Sequence, residues 1–201
     1  MNDVTYRYSP LHDIHVAAGA SFTDFAGWQM PVRYSSDLAE HHAVRTAAGI
    51  FDISHMAEIR VVGHDAAAFL DLALAGKLSA IVNGQAKYSL LLTETGGIID
   101  DLVVYRLAPT EFLIVANAGN RFAVVDALTA RTGEFDVALT DESDDISLIA
   151  VQGPLSRSIL EATTELGHVD IALDELKYYW STNGTFDGVP LMVGRTGYTG
   201  E

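Results

Sequence analysis

The spacing of apolar and polar residues predicts two helices near the start of the chain. Ser9, followed by a proline, predicts the start of the first helix, and Gly19 predicts its end. The second helix is predicted to begin at Asp37, with Glu40 three residues later as a capping-box-like partner, and to end before Gly49.

The central part of the chain predicts a compact mixed unit. Its elements are, in order, strand 58–62, helix 65–74, strands 86–92, 98–106 and 111–116, helix 120–131 and a strand near 137–140. This β-α-β-β-β-α-β order is close to the ferredoxin-like split motif with one added strand. The arrangement covers one sheet face with two helices and leaves the other face available.

The acidic stretch 140–145 is a candidate domain boundary or a charged loop without function. Beyond it the pattern predicts a strand at 147–152, a helix opened by Pro154 and a hairpin around Asp187-Gly188. Together these elements predict an α+β fold.

Composition narrows the class of protein. Of 201 residues 49% are apolar, which is enough for a sizeable core, and the net charge of −15 disfavours binding to nucleic acid. The lack of cysteine excludes thiol nucleophiles and cysteine-ligated zinc or iron–sulfur sites from this chain. The opening residues have no apolar signal region and no apolar run reaches the roughly 18 residues of a membrane span, so we expect a cytoplasmic protein without membrane contact.

Two adjacent carboxylates lie in an apolar strand, where an unpaired buried charge would destabilise the fold. Strand alternation sends Asp100 and Asp101 to opposite faces. If the hairpin closes with Thr95-Gly96 as a two-residue turn, Tyr88, Asp101 and Tyr105 share one patch. A carboxylate between aromatic rings suits a flat, nitrogen-rich ligand. The alternative is that one aspartate caps the Gly-Gly turn and the other is only solvated.

Other polar and aromatic residues allow two interpretations each. Asn117, at the end of an apolar strand, is an N-cap for the next helix or an amide that pairs with a heterocycle edge. The run Tyr178-Tyr179-Trp180 lines a pocket for a planar ligand or packs in the core.

The histidines do not form a metal-binding pattern, because none supplies a third ligand at a diagnostic spacing. They are better explained as packing or capping residues. We therefore expect no metal site. Ser54 next to His55 raises the idea of a nucleophile and its base. Adjacent residues rarely meet with that geometry, and no Gly-x-Ser-x-Gly elbow is present.

Several segments together resemble the N-terminal half of the glycine cleavage system T protein, an aminomethyltransferase. The segments that carry the resemblance, in family order, are 24–31, 43–45, 49–56, 96–101, 115–118, 152–154 and 195–201. The resemblance covers essentially the whole chain. It implies a ferredoxin-like domain at 58–140 inserted in a discontinuous antiparallel α+β folate-binding domain formed by 1–57 and 141–201. The family's C-terminal β-barrel would be absent from this chain.

The resemblance also implies a reaction and a site. Members of this family transfer the methylene of an aminomethyl group, carried on the lipoyl arm of the H protein, to tetrahydrofolate and release ammonia. Asp101 matches the essential aspartate of the family, which orients the pterin. The folate-contacting positions that the resemblance implies are Tyr88, Asp101, Tyr105, Asn117, Tyr178, Tyr179 and Tyr198.

Two departures from the family pattern affect what we expect. Ala57 stands where glycine is usual, and the chain ends before the acidic residue and the late arginines that grip folate in the family. We therefore expect this chain alone to bind folate weakly and to turn over poorly. The alternative function is that of a non-catalytic folate-binding protein of iron–sulfur cluster assembly with the same fold. The intact Gly-Gly-Ile-Ile-Asp-Asp-Leu segment favours the enzyme.

Overall fold

A computed structural model describes residues 5–197, which form a mixed α+β structure with several sheets and no closed barrel. The helices are α1 (His12–Ala17), α2 (Asp37–Thr46), α3 (Ala66–Ala73), α4 (Arg121–Ala130) and α5 (Ser156–Ala162). The first nine strands are β1 (Arg7–Tyr8), β2 (Ser21–Phe25), β3 (Trp28–Arg33), β4 (Gly49–Asp52), β5 (Ala57–Val62), β6 (Ala86–Leu92), β7 (Ile98–Ala108), β8 (Glu111–Ala116) and β9 (Ala138–Asp141). The remaining strands are β10 (Ile149–Gln152), β11 (Leu166–Val169), β12 (Trp180–Phe186) and β13 (Val189–Arg195).

The described residues divide into two compact units. The first contains 5–55, 146–162 and Gly197, and the second contains Met56–Asp145 and Thr163–Thr196. In the first unit, β1, β3 and β2 form one small sheet in that order, and β4 pairs with β10 in antiparallel fashion.

The first helix begins two residues later than predicted, and the second begins at its predicted residue. Helix α1 starts at His12 because Ser9 caps a preceding turn, in which Leu11 N donates to Ser9 Oγ at 3.0 Å. Helix α2 begins at Asp37 as predicted, but its N-cap is Ser36, whose Oγ accepts from Ala39 N.

The second unit is built on a five-stranded antiparallel sheet in the order β6-β7-β8-β5-β9. Helices α3 and α4 cover one face, and side chains from both helices and four of the strands form the main core. Phe69 of α3, Leu128 of α4 and Phe112 of β8 are completely buried there. The predicted order of elements from 58 to 140 is confirmed.

The opposite face of this sheet carries a smaller apolar cluster, centred on Ala86, Tyr105 and Leu113 and extended by Tyr179 and Met192. The last two residues belong to 163–196, which carries the antiparallel sheet β11-β12-β13.

The structure groups 163–196 with the five-stranded sheet, whereas the sequence-based division placed this segment with the flanking domain. The physical link is a pair of backbone hydrogen bonds of 2.7 Å. In one, Ala86 N donates to Tyr179 O, and in the other Ser181 N donates to Gly84 O. The apolar contacts of Tyr179 add to this attachment.

The β6–β7 hairpin has the predicted strand register but a different loop from the predicted one. Tyr88 pairs with Val103 and Leu90 with Asp101, as expected. The loop is three residues long, however, because Thr93 N donates to Gly97 O. Ile99 is the extra residue of a β-bulge next to this loop, and it restores the register that a two-residue turn would have given.

Candidate functional site

The end of the β6–β7 hairpin presents an exposed carboxylate beside a phenol. Tyr88 Oη donates to Asp101 Oδ2 at 3.2 Å, and both side chains are exposed. Strand alternation places Val103 and Tyr105 on the same face as Asp101, and Tyr105 is buried. The predicted grouping of Tyr88, Asp101 and Tyr105 on one sheet face is confirmed.

Asp100 points to the other face and is 2% exposed. Its carboxylate accepts three hydrogen bonds, which satisfy the charge inside the protein. Asn117 N donates to Oδ2 at 2.9 Å, Asn117 Nδ2 donates to Oδ1 at 2.9 Å, and Asn120 Nδ2 donates to Oδ1 at 2.6 Å. Sequence reasoning did not assign a role to Asp100 or Asn120. The available signal was a carboxylate whose strand neighbours on the same face are apolar, since such a group requires partners.

The idea that an aspartate caps the glycine turn is wrong. The turn is closed by Thr93, whose Oγ1 accepts from Gly97 N at 2.9 Å. Asp101 is the solvated member of the pair, and Asp100 is the buried member.

Asn117 connects the two carboxylates. Its Nδ2 donates to Asp101 Oδ1 at 3.0 Å and to the Asp101 carbonyl at 2.9 Å, in addition to Asp100 Oδ1. Asn117 does precede a short 3₁₀ turn, Ala118–Asn120, but its side chain makes no capping hydrogen bond there. Of the two interpretations offered by the sequence, the capping one is therefore wrong.

The other predicted aromatic residues lie at different depths. Tyr105 Oη is 3.3 Å from Thr196 Oγ1, and Tyr179 packs on the Tyr105 cluster with an unusual positive φ of 59°. Tyr178 is 61% exposed and meets the Tyr179 ring edge-on. Tyr198 lies outside the described residues.

Three phenols of this unit have a pKa above the usual value for tyrosine. Desolvation and the hydrogen bond to Asp101 raise the pKa of Tyr88. Burial raises the pKa of Tyr105 and that of Tyr179. Each phenol therefore remains neutral near pH 7 and can donate a hydrogen bond to an acceptor on a ligand.

Glu58 is a second buried acid of the sheet that sequence reasoning missed. It is 1% exposed, and within residues 5–197 neither carboxyl oxygen has a hydrogen-bond partner. Burial raises its pKa to about 8, although nearby Arg121 acts in the opposite direction. Glu58 is therefore largely uncharged at neutral pH.

The first unit holds a separate buried polar network. His15 lies between Asp52 and Tyr34, with Nε2 at 2.8 Å from Asp52 Oδ2 and Nδ1 at 2.7 Å from Tyr34 Oη. Ser54 Oγ donates to Leu148 O, which leaves no nucleophile–base contact with His55. Burial lowers the pKa of His55.

The described part of the chain lacks two further features. Residues 5–197 contain no cluster of three or more metal-ligating side chains. None of the helices in this part of the chain is long and apolar enough to cross a membrane.

Comparison with known proteins identifies the family. Residues 11–201 match the family described as the GCVT N-terminal domain. The chain belongs to this family. Among relatives of the GCVT family, the aminomethyltransferase of Cutibacterium acnes is 56% identical over 200 residues, which cover 98% of this chain and 54% of the relative. The aminomethyltransferase of Streptomyces coelicolor is 50% identical over 201 residues, covering 100% of this chain and 53% of the relative.

A solved member of the GCVT family shares the fold. The glycine cleavage system aminomethyltransferase T from Bartonella henselae superimposes with a TM-score of 0.82 at 36% sequence identity, covering 97% of this chain and 51% of that one. The chain thus spans about half the length of the curated relatives it matches.

Proposed function

We propose that this chain is the folate-binding part of an aminomethyltransferase of the glycine cleavage system. Its substrate would be the aminomethyl group on the lipoyl arm of the H protein, and its acceptor would be tetrahydrofolate. Membership of the GCVT family and 56% identity to an aminomethyltransferase support this function. The carboxylate of Asp101, exposed between Tyr88 and Asn117, is the structural observation that carries it.

Asp101 is suited to orient a nitrogen heterocycle. An ionised carboxylate only accepts hydrogen bonds, and each oxygen offers two acceptor positions. In Asp101 one position on Oδ2 is used by Tyr88 and one on Oδ1 by Asn117. The remaining positions can accept from the N–H groups of a pteridine, so the carboxylate can fix the ring for reaction at N5.

The proposed transfer exchanges two bonds at the methylene carbon. The carbon loses its bonds to nitrogen and to the lipoyl sulfur and gains bonds to N5 and N10 of tetrahydrofolate. The nitrogen leaves as ammonia and the sulfur as the dihydrolipoyl thiol, each taking one of the protons released from N5 and N10. Asp101 would hold N5 in line with the methylene by accepting a hydrogen bond from the pteridine.

The wider folate site is proposed on the same face of the sheet. It comprises Tyr88, Asp101, Tyr105, Asn117, Tyr178 and Tyr179, with Tyr198 added from the resemblance. The neutral phenols of Tyr88 and Tyr179 and the exposed ring of Tyr178 support this assignment, because they offer aromatic surface and hydrogen-bond donors.

We also propose that 58–140 is a ferredoxin-like domain inserted into a discontinuous folate-binding domain. The sheet order β6-β7-β8-β5-β9, with both helices on one face, supports this, since removal of β6 leaves the four-stranded order of that motif. The first unit is itself discontinuous, because β4 before the sheet pairs with β10 after it. The C-terminal β-barrel of the family would lie outside this chain.

The partner in this proposal is the lipoyl-bearing H protein, and the compartment is the cytoplasm. The partner follows from the family resemblance. The strongly acidic chain, with a net charge of −15, supports a role without nucleic-acid contacts.

Ammonia release tests the proposed function. The protein is incubated with aminomethyl-loaded H protein, with and without tetrahydrofolate, and ammonia and 5,10-methylenetetrahydrofolate are measured. We expect both products only when both substrates are present. Asp101→Asn should lower the rate about 100-fold or more.

The matched control is Asp136→Asn, which changes an aspartate outside the proposed site. Its rate should stay within about twofold of the original. Ammonia release that is independent of tetrahydrofolate, or equal rates for Asp101→Asn and the unchanged protein, would contradict the proposal.

A further inference from the structure

Asp100 and Asp101 are linked by one amide group. Asn117 Nδ2 lies within 3.0 Å of three acceptors, namely Asp100 Oδ1, the Asp101 carbonyl and Asp101 Oδ1. An amide nitrogen has only two hydrogens, so these contacts share them. The Asn117 side chain is thus anchored on the buried carboxylate and on the exposed one at the same time.

The contacts also settle which way the Asn117 amide is turned. If the amide were flipped, its oxygen would face three other oxygens, and three attractive contacts would become repulsive. The buried charge of Asp100 makes this preference strong, since hydrogen bonds to an ionised acceptor are about twice as strong as neutral ones.

Asp100 is itself fixed in place. It is 2% exposed, and besides the two donors of Asn117 it accepts from Asn120 Nδ2 at 2.6 Å. Asp100 pairs with Leu91 in the ladder, immediately next to the bulge at Ile99. A buried, triply bonded carboxylate is a rigid reference point for whatever its partners hold.

We propose that Asp100 is a positioning residue for the exposed carboxylate. Acting through Asn117, it sets the amide so that Nδ2 points to Asp101 Oδ1 and holds the Asp101 side chain in the orientation that receives the ligand. Asp100 does not touch the ligand. The proposal rests on the proposed function, because it assigns Asp101 the task of orienting tetrahydrofolate.

The test begins with the ligand-free protein, where activity plays no part. The side-chain NH₂ signal of Asn117 is identified by NMR from its loss in Asn117→Ala. In Asp100→Asn, which keeps the size but removes the charge, this signal should shift and broaden. In Asn120→Ala, which also removes a hydrogen bond from Asp100 Oδ1, it should stay close to its original position. An unmoved Asn117 signal in Asp100→Asn would overturn the proposal.

The second arm measures steady-state kinetics with tetrahydrofolate and loaded H protein. Asp100→Asn should lower kcat/KM for tetrahydrofolate by about tenfold to 100-fold, because a small misplacement of a reacting group has effects of that size. The KM for the H protein should stay within about twofold. A general loss of folding would instead lower the apparent kcat with both KM values unchanged, and a weaker far-UV circular dichroism signal would reveal it.

A double-mutant cycle separates positioning from simple stability. If Asp100 acts through Asn117, Asp100→Asn should have little further effect on kcat/KM in an Asn117→Ala background. Fully additive effects would overturn the proposal. A different result, in which the unchanged protein shows no tetrahydrofolate-dependent reaction while the Asn117 signal still moves in Asp100→Asn, would overturn the proposed function and leave the Asp100–Asn117 linkage demonstrated.

Discussion

Asp100 and Asp101 are consecutive in the chain, yet one is buried beneath the sheet and the other is exposed on its opposite face, and both bind the same nitrogen of Asn117. The alternation of the strand produces this division. It gives the two carboxylates different tasks, since the buried one organises the local structure and the exposed one is available to a ligand.

This division predicts a difference in stability between two alanine variants. Asp100→Ala removes the acceptor that Asn120 Nδ2 uses and two contacts of Asn117, so it should lower the free energy of unfolding by about 2–3 kcal/mol. Asp101→Ala affects an exposed side chain and should cost about 0.5 kcal/mol. Urea unfolding of both variants measures the difference, and equal losses would contradict it.

The raised pKa of Glu58 predicts that the free energy of unfolding depends on pH. Its pKa is about 8 in the folded protein against 4.5 for an ordinary glutamate, so between these values the folded state holds a proton that the unfolded state has lost. The contribution of Glu58 to the free energy of unfolding is therefore fully present below about pH 4.5 and is lost as the pH rises through 8.

The check on Glu58 compares unfolding at pH 5 and pH 8.5. Glu58→Gln keeps the shape and does not titrate, so it serves as the reference. The unchanged protein should lose about 4 kcal/mol more than Glu58→Gln between the two pH values. If the free energies of unfolding of the two proteins changed equally between pH 5 and pH 8.5, the pKa of Glu58 would not be raised in the folded protein.

The close approach of Gly194 to Tyr105, a proposed folate-binding residue, predicts a steric effect of substitution. A Cβ at this position would lie 2.8 Å from Tyr105 Oη and 3.2 Å from Tyr105 Cε1. Gly194→Ala should therefore displace the Tyr105 ring and lower the free energy of unfolding by about 1–2 kcal/mol. In a Tyr105→Phe background, which removes the nearest atom, the additional loss should be smaller, and an unchanged loss would place the strain elsewhere.

Gly96 predicts a purely conformational effect in the hairpin loop. Its φ of +85° is unfavourable for residues with a side chain, and a Cβ there would meet nothing within 4 Å. Gly96→Ala should cost about 1 kcal/mol, and Gly96→Asn should cost less because asparagine tolerates this region better. Thermal unfolding of both variants provides the comparison, and a neutral Gly96→Ala would contradict it.

Much of the second unit could be predicted from the sequence, because alternation and turn residues act locally. The order of strands and helices from 58 to 140 and the pairing of Tyr88 with Val103 both followed from such patterns. The bulge at Ile99 could not be predicted, since a two-residue turn and a three-residue loop with a bulge give the same register.

The tertiary partners of the site could not be derived from spacing. Asn120 and Asn117 meet Asp100 only after β8 has paired with β7, so their contacts depend on the folded sheet. The attachment of Tyr179 to Ala86 likewise joins segments far apart in the chain. The neutral state of Glu58 depends on burial, which the sequence pattern of one strand does not specify.

A crystal structure of the protein with bound tetrahydrofolate tests the proposed role of Asp101 most directly. We expect the pteridine to lie on the sheet face of Asp101, with a ring N–H group within about 3 Å of its carboxylate, and Asn117 Nδ2 to stay hydrogen-bonded to Asp101 Oδ1. A pteridine bound away from Asp101, with no hydrogen bond to this carboxylate, would contradict it.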